Sequence, residues 1–117
     1  MKRIITIKKN YEVKHILTKG KWAKGKYITI YYKKSEKLVN NRLCFIVSKK
    51  SGNSVFRNRI RRLMRESYLT DEKLLKQGYN ILVMWKTKEE NTDVKCQDIY
   101  KDMHKLFQER DLLIWKK

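Results

Sequence analysis

Gly52-Asn53-Ser54-Val55-Phe56-Arg57-Asn58-Arg59-Ile60-Arg61-Arg62-Leu63-Met64-Arg65-Glu66-Ser67-Tyr68 lies in the middle of a 117-residue chain, and its reading decides the fold. Projected at about 100° per residue, Phe56, Ile60, Leu63, Met64 and the Ser67/Tyr68 pair share one side, which predicts a helix with one buried stripe. Gly52-Asn53-Ser54 supplies the turn into it. Leu43 to Val47 before the helix is a continuous apolar run, and Ile81 to Trp85 after it is another. Both read as buried strands.

Tyr27 to Tyr32 alternates, with Ile28, Ile30 and Tyr32 on one side and Tyr27, Thr29 and Tyr31 on the other, a strand pattern. The polar stretch Lys33 to Asn41 reads as a hairpin loop. Asn10 is placed to cap a short helix carrying Val13, Ile16 and Leu17, with Gly20 at its C′ position. A last helix from about Val94 sets Cys96, Ile99, Tyr100, Met103, Leu106 and Phe107 at helical spacing. The order is α-β-β-α-β-α. It predicts an α+β sandwich with one mixed sheet, a single domain over residues 1–117. Ile4 to Ile7 is a candidate extra strand.

Thirty Lys+Arg against 12 Asp+Glu give a formal charge of +18. Self-repulsion on that scale destabilises a compact fold until a polyanion neutralises it, and nucleic acid is the first candidate. An anionic membrane surface comes second, but no stretch nears the roughly 20 apolar residues of a span. Met1-Lys2-Arg3 has the charge of a secretory n-region, yet Ile4 to Ile7 is broken by Thr6 and too short for what must follow it. A cytoplasmic protein without membrane attachment is expected. Cys44 and Cys96 show no metal-ligand spacing and read as small buried hydrophobes. His15 and His104 have no recognisable nucleophile or acid partner, so neither catalytic residues nor a metal motif is expected of the polypeptide.

The predicted middle helix has an unusual outer face. Arg57, Asn58, Arg61, Arg62 and Arg65 spread across the arc opposite the apolar stripe, Arg59 sits on a flank, and only Glu66 opposes their charge. Lysine would serve solubility equally well, whereas the planar guanidinium fork suits bidentate phosphate contacts. Cations at a helix N-terminus oppose the macrodipole, and Lys49, Lys50, Arg57 and Arg59 crowd that end. Like charges four apart, Arg57 with Arg61 and Arg61 with Arg65, cost a few tenths of a kcal/mol each. A phosphate on this face reverses the sign of every one of these terms. The face reads as a binding surface for structured RNA.

The run from Arg42-Leu43 through Val47-Ser48-Lys49-Lys50-Ser51-Gly52-Asn53-Ser54-Val55-Phe56-Arg57-Asn58-Arg59-Ile60-Arg61-Arg62-Leu63-Met64-Arg65-Glu66 resembles the signature of the bacterial ribonuclease P protein subunit. That signature is approximately S-x-K-x-G-N-A-V-x-R-N-R-x-K-R-x-x-R-E. Chain length and element order agree, so the resemblance spans nearly the whole chain. It implies a left-handed βαβ crossover, against the usual right-handed rule. It also implies that Lys49, Lys50, Asn53, Arg57, Asn58, Arg59, Arg61, Arg62 and Arg65 contact a catalytic RNA subunit. Catalysis would belong to that RNA, with magnesium held mainly by it, and no obligatory protein partner is expected.

The resemblance further implies a cleft between the first helix and the sheet that takes the single-stranded 5′ leader of precursor tRNA. Val13, Leu17, Thr29 and Tyr31 fall at its positions. The family usually has Phe where this chain has Val13 and Leu17, so of these four only Tyr31 offers a ring; Trp22, nearby in a loop, is a candidate replacement stacking surface. Two rival readings remain: a ribosomal protein bracing rRNA on a similar fold, and a protein-only nuclease, which would need a positioned acid and base.

Overall fold

The computed structural model describes residues 4–86 and 94–114. The Met1-Lys2-Arg3 start lies outside the described residues. Five strands form one mixed sheet: β1 (Ile5–Thr6), β2 (Lys21–Lys24), β3 (Ile28–Lys34), β4 (Arg42–Ile46) and β5 (Tyr79–Trp85), in the spatial order β1-β4-β5-β3-β2. The helices are α1 (Asn10–Lys19), α2 (Ser54–Asp71) and α3 (Cys96–Glu109). The expected α+β sandwich is therefore present, with two strands added. The short Ile5–Thr6 segment pairs parallel with β4, and Lys21–Lys24 pairs antiparallel with β3.

The sheet corrects one sequence expectation. Lys33 to Asn41 does not close a hairpin, because β5 lies between β3 and β4. β3 runs antiparallel to β5 and β4 runs parallel to it, so β4, α2 and β5 form a parallel crossover unit. Central strands buried on both faces read as continuous apolar runs, and β5 is of that kind.

Strand alternation sends side chains to two faces. Ile28, Ile30, Tyr32, Leu43, Ile81, Val83 and Trp85 join Phe56, Ile60, Met64 and Tyr68 of α2 and Ile99, Met103 and Phe107 of α3 in the main core. On the other face Leu82 meets Ile7 and Ile16, with Val13, Tyr31, Cys44 and Ile46 packed around them. Helices thus cover both faces, α2 and α3 on one and α1 on the other. The two cysteines, each half-buried, fall on opposite sides of the sheet.

Two helix ends differ from expectation. Lys9, not Asn10, occupies the N-cap of α1, and no side chain caps it. Gly20 closes α1 in extended conformation, φ −77°, rather than left-handed, with its N–H donating to the Ile16 carbonyl. Chain reversal into β2 explains this, since Lys21 must pair with Tyr32 at once.

Three polar clamps hold the layers. Asp102 of α3 accepts backbone N–H bonds from Lys26, Tyr27 and Ile28 at 2.9, 2.9 and 3.1 Å, fixing the β2–β3 turn. Gly25 is required there, because a Cβ would collide with the Asp102 carboxylate. Asn41 donates to the Lys76 carbonyl and accepts from the Tyr79 N–H, tying the β3–β4 loop to the start of β5. Gly78 makes that corner at φ +93°, a conformation L side chains rarely adopt.

The third clamp joins α1 to β4. Arg42 makes a forked pair with Glu12, at 2.7 and 3.2 Å. The guanidinium hydrogen bond holds the Glu12 carboxyl below its ordinary value of 4.5, against an opposing contribution from desolvation. A depressed carboxylate stabilises the fold above its unfolded value and loses that contribution as pH falls through the folded one. Glu12→Gln should therefore melt below the parent by a constant margin above pH 4.5, narrowing as the medium is acidified further. A margin independent of pH in paired thermal melts would show that the charge of Glu12 contributes nothing.

Candidate RNA interface

The interface is built at the start of α2. Beyond β4 the chain makes a 3-10 turn at Lys49–Ser51, closed by a 3.1 Å bond between the Ser48 and Ser51 hydroxyls. Lys49 and Lys50 are exposed on it. Asn53 is the N-cap of α2, its Oδ1 accepting the Phe56 N–H at 2.9 Å. That bond satisfies one of the orphan donors of the first turn. Asn53, expected as an RNA contact, has a structural duty here.

Along α2, Phe56, Ile60, Leu63, Met64, Ser67 and Tyr68 are buried as the spacing predicts, and Asp71 joins them. Asn58, Arg62 and Arg65 are exposed, while Arg57, Arg59 and Arg61 are half-buried. The helix carries no acidic residue in its first turn and no basic one in its last, the reverse of what the macrodipole favours. Among the described residues none of these five arginines forms an ion pair.

The arginines differ in freedom. Arg61 is held by Asn58 Oδ1 at 3.0 Å and by the Val47 carbonyl at 3.4 Å, which aims it along the end of β4. Arg59 Nη2 donates to the Val94 carbonyl at 2.6 Å, bracing the approach to α3. Arg57 Nε and Arg59 Nη1 are buried and find no hydrogen-bond acceptor among the described residues. An unsatisfied buried donor costs about 1–3 kcal/mol.

A second surface lies on the α1 side of the sheet. Register places Trp22 opposite Tyr31, Tyr31 opposite Leu82, and Leu82 opposite Cys44, so these four side chains form one row on one face. The next row is Lys24, Thr29, Met84 and Ile46. Of the residues expected in a leader cleft, Val13 and Tyr31 meet in the same cluster around Leu82. Thr29 is in the neighbouring row and buried, whereas Leu17 stands outside that cluster and is 36% exposed. Burial pushes the Cys44 thiol up.

Trp22 is the residue whose placement the sequence obscured. It lies in β2, not in a loop, 55% exposed beside Tyr31. The four residues Lys21-Trp22-Ala23-Lys24, with Ala23 the single buried member, do not alternate and are too few to stand out as a strand.

The ribonuclease P family model matches residues 1–111. The chain belongs to the bacterial ribonuclease P protein family. It is similar to the ribonuclease P protein component of Natranaerobius thermophilus, 38% identical over 83% of this chain and 84% of the relative. The component from Fusobacterium nucleatum is 36% identical over 92% and 98%, respectively. Among solved structures, the ribonuclease P protein of Staphylococcus aureus superposes with a TM-score of 0.80 at 25% identity, covering 94% of this chain and 98% of that one. The Thermotoga maritima protein, at 20% identity and a TM-score of 0.76 over 92% and 97%, supports the same fold. Family membership makes this a protein component of ribonuclease P, a ribonucleoprotein of tRNA processing. No helix among the described residues is long and apolar enough to cross a membrane.

Proposed function

We propose that this chain binds the catalytic RNA of ribonuclease P through the outer face of α2 and holds the 5′ leader of precursor tRNA on the α1 side of the sheet, in the cytoplasm. The observation that carries the first half is the α2 face itself. Lys49, Lys50, Arg57, Arg61, Arg62 and Arg65, with Asn58 among them, form a cationic surface that runs from the N-terminus of α2 along its outer face with no acid in the first turn, and RNA phosphates supply what it lacks. Asn53 and Arg59 assist from the cap and the flank.

Bond cleavage in this reading belongs to the RNA, with magnesium bound by its phosphates. Four of the protein's carboxylates are engaged within the fold. Glu12 faces Arg42, Asp71 faces Tyr100 and His104, Asp98 accepts the Lys95 N–H, and Asp102 accepts three backbone N–H groups. Among the described residues no three His, Cys, Asp or Glu side chains are grouped to hold a metal ion. The chain's task is to bind, orient and neutralise.

The test is reconstitution with a bacterial ribonuclease P RNA at low magnesium. Leader removal that requires both components is the expected result; cleavage by the protein alone, or no effect of the protein, overturns the reading. The cleft has its own test. Tyr31→Ala should weaken binding of leader-bearing precursor tRNA by about 1–3 kcal/mol if a base stacks there, leaving mature tRNA unaffected. Equal losses for both substrates would remove Tyr31 from leader binding. Trp22→Ala should act in the same direction, since the two rings share a face.

A further inference from the structure

At the end of the sheet where β5 begins there is a cavity of about 450 Å³ that belongs to neither surface described above. Lys19, Lys21, Lys33, Lys34, Lys76 and Arg110 line it, and Asp111 is its one acidic residue. Tyr32 and Tyr79 form part of its wall, their ring centroids 6.3 Å apart. We propose that this cavity is a third RNA-binding site, taking the phosphodiester backbone of a strand separate from the one on α2.

Placement comes first. β3 ends at this cavity, where Lys34 pairs with Tyr79, whereas Ile28 pairs with Trp85 at the far end of β5. α2 starts from the far end, since it follows β4, whose last residue pairs with Met84. Six residue steps along β5 separate the two ends by about 20 Å. One phosphate cannot touch both the cavity and the N-terminal turn of α2.

Charge comes second. The C-terminal ends of α1 and α3 both reach the cavity, through Lys19 and Gly20 and through Arg110 and Asp111. Each helix end contributes about half a negative charge. Six cations less Asp111 and less those two ends leave about +4. Within the lining Lys76 pairs with Asp111 at 3.3 Å. Helix-end compensation therefore accounts for a minority of the cations.

The backbone that carries most of these cations is fixed in place. Lys21, Lys33 and Lys34 stand on paired strand positions, opposite Tyr32, Asn80 and Tyr79. The Lys76 N–H donates to the Leu112 carbonyl at 2.8 Å, and Asp111 turns the chain at φ 58°. Like charges held on a rigid rim repel one another, and a bound polyanion removes that cost. Half-buried Tyr79 offers an aromatic wall for a base, which favours an RNA strand over a bare anion.

The inference rests on the reading of the chain as RNA-binding, and its test separates the two. Full-length protein carrying Lys34→Gln and Arg110→Gln is compared with a control carrying Lys73→Gln and Lys101→Gln, exposed positions outside both surfaces and equal in lost charge. The probe is a labelled oligouridylate of about 12 nucleotides. The cavity pair should weaken binding at least about fivefold beyond the control and flatten the log–log salt slope by about 1.4, two single-strand phosphate contacts. Amide resonances of Lys33, Lys34 and Tyr79 should shift with oligouridylate more than with inorganic phosphate. Equal effects of the two variants, or shifts with inorganic phosphate alone, would overturn the proposal. Failure of the α2 reading shows separately, as affinity for the ribonuclease P RNA that ignores the α2 arginines.

Discussion

Replacing Arg57, Arg61, Arg62 and Arg65 together by alanine is expected to flatten the log–log salt dependence of binding to the ribonuclease P RNA by about 3 units. Each arginine that neutralises one phosphate contributes about 0.7–0.9, depending on whether the strand is single or paired. Between 50 and 200 mM salt the parent should thus lose about 50- to 150-fold more affinity than the variant. The fold should tolerate the change. Arg62 and Arg65 are exposed, and losing the Arg57–Arg61 and Arg61–Arg65 repulsions returns a few tenths of a kcal/mol each. Against this stand the Arg61 bonds to Asn58 and Val47, about 0.5–1.5 kcal/mol apiece at most. A variant that is unfolded at its working temperature, or one with an unchanged salt slope, would show that the arginines serve the fold instead.

Asp102→Ala is expected to be the most damaging single substitution outside the apolar core. Three backbone N–H groups converge on its carboxylate, two of them part-buried. Charge-assisted bonds contribute about 1.5–3 kcal/mol each, and water can replace only the exposed Lys26 bond without much loss. A cost of about 3–5 kcal/mol follows, a large share of the 5–15 kcal/mol typical of a domain. At roughly 4 °C per kcal/mol for a chain of this size, Tm should fall by about 12–20 °C. Gly25→Ala should act in the same direction, because its Cβ would displace the same carboxylate. Melting within a few degrees of the parent would refute the clamp. Because this turn sets β2, and β2 presents Trp22, the Asp102 variant should also lose discrimination for leader-bearing substrate before it loses RNA binding on α2.

Periodicity and charge determined much by themselves. The buried stripe of α2, the apolar runs of β4 and β5 and the helical spacing of Ile99, Met103, Leu106 and Phe107 were legible because each pattern is long enough to be unambiguous. The arginine face was legible for the same reason: residue type and helical angle are both local. Strand order was not. Whether β3 pairs with β4 or with β5 depends on which partner buries Ile28, Ile30 and Tyr32, and that partner is about fifty residues away in sequence. Tertiary structure also decided that β1 and β2 exist, since two- and four-residue strands are stable only as additions to a sheet already formed. With β2 in place, Trp22 moved from a loop to the face of Tyr31. The cavity at the opposite end owes its cations to five separate segments, from Lys19 to Arg110. No local pattern joins those residues; only packing brings their charges to one place.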